Sequence, residues 1–304
     1  MSTPLNPAEG AAIHKVVIPA AGLGTRLRPL TNAIPKELLP IGRLPVLAHI
    51  AAELQGAGFT DALFIVSDSK PQVRNYFGEL YSADTGCLDA PIDLPPLRCS
   101  YMIQKQQLGL GDALLYAEEW AAGSPFAVAF GDCIIDAPDP SAPMRRLAAA
   151  HAAHNAGATV LTESVAREDV FRYGVLAPDT SLPPGDNGEF RVAGIVEKPS
   201  PQDAPSNLVV AARWILDPSI FAYLRKLEPD SRGELILTDA VREFANDGNP
   251  FWAVPLKEGE RRSDIGNFET FFAAFVRAAI RDPEYGGRVR NLAACDLSAL
   301  KIAD

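Results

Sequence analysis

Cysteine is scarce: Cys87, Cys99, Cys133 and Cys295 are the only four in 304 residues and form no C-x-x-C pair, so neither a zinc site nor a disulfide framework is signalled. No apolar run approaches the roughly 20 residues of a membrane-spanning helix, so no membrane partner is expected. The opening MSTPLNPAEG lacks a charged segment followed by an apolar core, and residues 1–12 read as a disordered leader, not a secretion signal. A reducing cytoplasm is the expected compartment. A basic surplus is also missing. The 28 Lys and Arg face 38 Asp and Glu, a net charge of −10, and a general nucleic-acid binder needs a basic face to neutralise phosphates. A nucleotide needs only a few local cations, so that class stays open. Internal repeats and a G-x-S-x-G esterase elbow are absent.

What is present centres on Lys15 to Pro40, KVVIPAAGLGTRLRPLTNAIPKELLP. Val16-Val17-Ile18 is a β-branched apolar run that stops at Pro19, the pattern of a buried strand. Ala20, Ala21, Gly22, Gly24 and Thr25 follow, small enough for backbone N–H groups to close on an anion or lie against a flat base. Two cations, Arg26 and Lys36, come next. A cation placed for solubility does not need a glycine loop, so the stretch suits a polyphosphate. Gly22-Leu-Gly24 begins like the dinucleotide fingerprint, but Leu27 stands where the third glycine belongs. No Gly-Lys-Ser/Thr occurs in it, which excludes a Walker loop.

Apolar content of 47% and charged content of 22% are those of a soluble globular chain long enough for a full core. Helical spacing of Val46, Leu47, Ile50, Ala51 and Leu54 is followed by a strand over Ala62 to Val66 and a polar helix near Pro71 to Leu80. Ser82 to Pro96, rich in Asp and Pro, reads as a surface excursion. Strand, helix and strand recur at Cys99 to Gln104, Gly109 to Ala121 and Phe126 to Phe130, then an Ala-rich helix from Met144 to His154 and a strand over Ala158 to Thr162. This alternation predicts an α/β fold: a Rossmann-like, mostly parallel mixed sheet with helices on both faces and ligands at the carboxyl ends of its strands. Short strands at Tyr173 to Ala177, Arg191 to Glu197 and Leu208 to Ile215 predict a small antiparallel addition forming the far wall of a cleft. A helix near Thr238 to Asn246, a strand over Phe251 to Pro255 and a last helix follow. In that last helix Phe271, Phe272, Phe275 and Val276 read as a core stripe. Residues 13–285 are expected to form one domain, with halves at about 13–135 and 136–285 and a tail over 286–304.

Several polar residues stand at places where chemistry is possible. Gln104 ends a strand five residues before Gly109-Leu-Gly111; its amide suits the imide edge of a pyrimidine, and it equally suits a surface position. Asp132 follows a strand and a glycine, and Asp264 precedes the last helix in SDIGN. Two such carboxylates can hold Mg2+ beside phosphate oxygens, or serve as a turn former and a helix start. Glu197-Lys198-Pro199 can bind a hydroxylated phosphate, or be a solvated strand end; both side chains reach one ligand only if the strand end twists. His151 and His154 lack metal-site grammar around them and read as solvated.

The string from Lys15 to Pro40, with Gln104 before Gly109-Leu-Gly111, Gly131-Asp132, VEKP at Val196 to Pro199, GELILTDAV at Gly233 to Val241 and SDIGN, resembles the sugar-1-phosphate nucleotidyltransferases, and AIPKELLP their bacterial uridylyltransferase branch. The resemblance spans roughly residues 15 to 285. It implies a nucleotide-binding first half and a sugar-binding second half, and the formation of a nucleoside-diphosphate sugar and pyrophosphate from UTP and glucose 1-phosphate. It further implies Mg2+ on Asp132 and Asp264, and the base on Gln104 and Gly109. The sugar falls to Gly174, Glu197 and Val210, its phosphate to Lys198, and the triphosphate to Arg26, Lys36 and the loop Ala20 to Thr25. A homo-oligomer is expected. Gly131-Asp132 fits the thymidylyltransferase branch, with dTTP, as well as the uridylyl one. The family's D-C-G-N-K reads Asp264-Ile-Gly-Asn-Phe268 here. Losing that lysine puts the sugar phosphate or the rate in question, and a non-turning-over regulatory relative is the alternative.

Overall fold

The protein is described by a computed structural model over residues 13–81 and 96–299. The expected leader, and the excursion from 82 to 95, lie outside the described residues. From the N-terminal side come β1 (Lys15–Pro19), the small pair β2 (Pro40–Ile41) and β3 (Leu44–Pro45), α1 (Val46–Gly56), β4 (Asp61–Val66), α2 (Pro71–Phe77) and β5 (Leu80–Tyr81). β6 (Leu97–Ile103), α3 (Gly109–Leu115), α4 (Glu118–Ala121), β7 (Phe126–Ala129) and β8 (Cys133–Asp136) complete the first half. The second holds α5 (Ala142–Ala153), β9 (Ala158–Ser164), β10 (Gly174–Pro178), β11 (Phe190–Glu197), β12 (Leu208–Leu216) and α6 (Ile220–Leu224). It ends with α7 (Leu237–Asn246), β13 (Phe251–Pro255), β14 (Arg261–Asp264), α8 (Phe268–Arg281) and α9 (Gly286–Ala299). The single helix expected from Gly109 to Ala121 is two, because Ala117 N–H turns back to the Leu114 carbonyl at 2.9 Å and closes a tight turn.

Ten strands form one sheet in the order β10-β11-β13-β9-β12-β7-β1-β4-β6-β5. Parallel pairing is confined to β7-β1-β4-β6 and to β9 with β13. The sheet is mixed, as expected, but it is not mostly parallel, since its remaining pairings are antiparallel. β12 enters antiparallel between β7 and β9, and β10 returns into β11 through a Pro/Gly-rich loop, which forces an antiparallel pair. β10 also touches β12 at Val175 and Val209, so this end of the sheet curls back on itself.

Strand periodicity places the two cores. Val16 and Ile18 face a core shared with α1, α2, α5 and α8, while Val17 faces one shared with α3, α6 and α7. Helices thus cover both faces, as expected. The stripe on α8 needs correction. Phe271 and Ala274 are buried, but Phe272, Phe275 and Val276 are 56%, 38% and 54% exposed. Its apolar arc is wider than the surface that β2, β14 and α9 cover. His151 is not solvated either: it is buried against the Thr159 hydroxyl at 2.8 Å, and burial pushes its imidazole down to about 4. The expected tail is helical as α9 up to Ala299, and among the described residues no helix is long and apolar enough to cross a membrane.

Candidate active site

β1 delivers the chain to the carboxyl edge of the parallel strands, where Ala20 N–H bonds the Ile65 carbonyl at 2.8 Å and Gln104 N–H bonds the Val66 carbonyl at 2.8 Å. The small-residue loop and the glutamine therefore share one edge, the usual ligand edge of such sheets. The Gln104 side chain is buried, and its amide N–H2 is spent on the Gly109 carbonyl at 3.2 Å and Asp112 Oδ2 at 2.7 Å. That leaves the amide oxygen as the group able to accept from an imide N–H. Gly109 has φ +93°, and a Cβ there would sit 2.8 Å from the Leu235 carbonyl oxygen, so only glycine fits the turn.

Two carboxylates meet through a two-stranded antiparallel ribbon that sequence patterns do not announce. β8 and β14 pair antiparallel with Cys133 opposite Asp264, and Ile265 N–H bonds the Asp132 carbonyl at 2.8 Å. Asp132 also forms an ion pair with Lys36. Burial works against the Lys36 charge, but Asp132 and Glu37 outweigh it and raise the ammonium to about 12. Burial would likewise raise Asp132, and Lys36 reverses this, holding it below the usual carboxylate range. Asp264 is pushed up to about 6 by burial and by the Asp132 charge. A partly neutralised carboxylate pair is a donor set that a hard divalent cation fits, its remaining positions filled by water and phosphate oxygens. Among the described residues no cluster of three or more acidic, His or Cys groups offers a fuller cage.

At the other end, Gly174 begins β10 beside Glu197, Val210 and Thr238. A Cβ on Gly174 would lie 3.4 Å from Glu197 Oε2, 3.4 Å from Val210 Cγ2 and 3.0 Å from Thr238 Cγ2. The missing side chain is what leaves room in that corner. Thr238 donates to Glu197 Oε2 at 2.9 Å and holds the carboxylate in place. Lys198 adopts φ +45°, a left-handed turn that breaks the strand alternation, and its ammonium lies 3.1 Å from Glu197 Oε1. That is the twist both side chains need to reach one ligand.

Arg26, Asp132, Asp264, Gly174, Glu197, Lys198 and Val210 line one cleft of about 650 Å³. Lys36 joins them through Asp132. The loop Ala20 to Thr25, Gln104 and Gly109 lie off that cavity at the neighbouring strand edge, Gly109 abutting Leu235, whose neighbours Glu234 and Ile236 line it.

Sequence reasoning missed four charged residues that brace this arrangement. Arg262 lies 4.0 Å above the Tyr173 ring, donates to Glu163 Oε1 at 2.6 Å and faces the cleft. Lys70 sits buried under the small-residue loop. Arg213 and Glu53, 0% and 2% exposed, bond in bidentate fashion at 2.8 and 2.7 Å, and Arg213 also reaches the Cys133 carbonyl at 3.0 Å. The signal for this last pair was available: each charge interrupts an apolar run, which buries it only if it is partnered. A bulge in β12 with Ala212 at φ +58° turns Arg213 away from the cleft that Val210, Ala212 and Trp214 line. Phe268, standing where the resembled family has a lysine, packs on the core and against Phe272 with ring centres 5.6 Å apart. Arg172 and Arg262 add cations to the cleft in its absence.

Comparison with known proteins places the chain in one family. The family model described as "Nucleotidyl transferase" matches residues 15–279. The chain is 32% identical to a UTP–glucose-1-phosphate uridylyltransferase of Streptococcus pneumoniae, over 92% of this chain and 94% of that one. It is 33% identical to a putative enzyme of the same name from Methanocaldococcus jannaschii, over 90% and 96%. Among solved structures it resembles a UDP-glucose pyrophosphorylase complexed with UDP-glucose, at TM-score 0.76 and 32% identity, covering 86% of this chain and 97% of that one. A UTP-bound counterpart from Acinetobacter baumannii gives TM-score 0.79 at 27% identity, over 93% and 99%.

Proposed function

The chain belongs to the nucleotidyl transferase family, within its UTP–glucose-1-phosphate uridylyltransferase group, and from that membership we propose that it makes UDP-glucose and pyrophosphate from UTP and glucose 1-phosphate. The observation that carries the reading is a single cleft in which the two aspartates, Arg26, Lys198 and the Gly174–Glu197–Val210 corner face one another.

A phosphate oxygen of glucose 1-phosphate would attack the α-phosphorus of UTP in line. The new P–O bond forms as the bond to the β-phosphate oxygen breaks, and its electron pair leaves with pyrophosphate. The nucleophile is already an anion, so no general base is needed. The obstacle is repulsion between two anions, and the remedy is positioning and positive charge. Lys198 would hold the acceptor phosphate, while Arg26 and Lys36 would take the β- and γ-phosphates. Gln104 would accept from the uracil imide beside Gly109, and Glu197 would accept from sugar hydroxyls over Gly174 and Val210. Asp132 and Asp264 would hold Mg2+, which when bound supplies charge neutralisation on the phosphates.

Pyrophosphate release with UTP and glucose 1-phosphate, run beside dTTP and the other nucleoside triphosphates and several hexose 1-phosphates, tests this. Turnover fastest with UTP is expected. Preference for dTTP would move the chain to thymidylyl specificity, and binding without turnover for any pair would make it a regulatory relative.

A further inference from the structure

Lys70, just before α2, is 6% exposed, yet its ammonium has four partners. It donates to the Ala20 carbonyl at 2.8 Å, the Gly22 carbonyl at 2.5 Å, and both carboxylate oxygens of Glu37 at 2.8 Å. Glu37 is 1% exposed and follows Lys36 in the chain. Lys36 in turn approaches the loop from its Cα side, its Nζ lying 3.5 Å from where a Gly22 Cβ would be. Burial pushes both Lys70 and Glu37 toward neutrality, Lys70 down and Glu37 up, so each charge depends on the other.

The consequence follows from peptide geometry. In a planar trans peptide the carbonyl and the next residue's N–H point in opposite directions. Fixing the oxygens of Ala20 and Gly22 on Lys70 turns the N–H groups of Ala21 and Leu23 away from it. Neither N–H has a partner among the described residues, although Ala21 is only 3% exposed. Two unpaired N–H groups facing away from Lys70, in a loop that Lys36 also approaches, are donors suited to phosphate oxygens.

We propose that Lys70 is a positioning residue for the triphosphate: locked by Glu37, it sets the direction of the Ala21 and Leu23 N–H groups and anchors the segment that carries Lys36. This rests on reading the loop as the triphosphate site. Lys70 itself, enclosed by four protein acceptors, touches no substrate.

Lys70→Met alone strands a buried carboxylate and is expected to lower the unfolding midpoint, so the decisive variant is Lys70→Met with Glu37→Gln, which removes both charges. The double variant should recover most of the lost stability. Its KM for UTP, and its Kd for UTP measured by calorimetry without the second substrate, should still rise about tenfold or more. KM for glucose 1-phosphate at saturating UTP should stay within about twofold. A merely structural role would restore UTP binding together with stability. A stable double variant with wild-type UTP affinity would overturn the proposal, as would equal losses for both substrates. Should the wild type bind UTP without releasing pyrophosphate while the double variant loses that binding, the turnover reading falls and the role of Lys70 stands.

Discussion

Burial and the neighbouring Asp132 charge both disfavour ionisation of the Asp264 carboxyl and push it up to about 6. Its folded value lies above the ordinary 3.8, so folding favours the protonated form. That contribution to stability is fully present below about pH 3.8 and is lost as pH rises through about 6. Between pH 4 and 7 the metal-free protein should therefore lose a few degrees of thermal midpoint relative to Asp264→Asn. Added Mg2+ should close the gap by favouring the ionised form. Parallel melting profiles for the two proteins would mean that the carboxyl is not raised. At this scale the sequence was informative about residue types. Asp132, Glu197 and Lys198 each ended or followed a strand and Asp264 preceded the last helix, every one with a bland alternative that local pattern alone does not remove; the structure brings all four to one cleft. Lys70 and Arg262 gave no signal, because a lone cation in a polar segment looks like ordinary surface charge.

Among the elements, α3 shows how tightly backbone constrains the turn beside Gln104. Gly111 N–H bonds the Leu235 carbonyl at 2.8 Å, and Leu235 N–H returns to the Leu108 carbonyl at 2.6 Å. Gly109→Ala places a methyl group against that carbonyl oxygen at a positive φ, and should cost about 2–3 kcal/mol in urea denaturation. A loss under about 0.5 kcal/mol would show that the turn relaxes freely. Strands such as Val16-Val17-Ile18 and helices such as α1 were readable because a regular apolar period maps directly onto a buried face. The β8–β14 ribbon was not, since CIID and RRSD are four-residue pieces paired across more than a hundred residues of chain. The Phe-rich α8 misled for the converse reason: apolar spacing reveals which face could be buried, not whether enough surface exists to cover it.

Across the whole molecule, the pair formed by Glu53 and Arg213 ties three regions together. It joins α1, which follows the small-residue loop, to β12, whose Val210, Ala212 and Trp214 line the cleft, and to the carbonyl beside Asp132. Removing one partner leaves an uncompensated buried charge. Glu53→Ala should destabilise by about 3–5 kcal/mol in urea unfolding, whereas Glu53→Leu with Arg213→Met should regain much of it. A loss below about 1 kcal/mol for the single change would show that water reaches the remaining guanidinium. Fold class was legible from element alternation, but the extent of antiparallel pairing was not, because strand order depends on long-range contacts that local pattern does not encode.

β12 is shared by both halves, hydrogen-bonded to β7 on one side and β9 on the other. Both flanks of the cleft are thus mounted on one unbroken bench of hydrogen bonds, and a change that loosens β12 should disturb the two together.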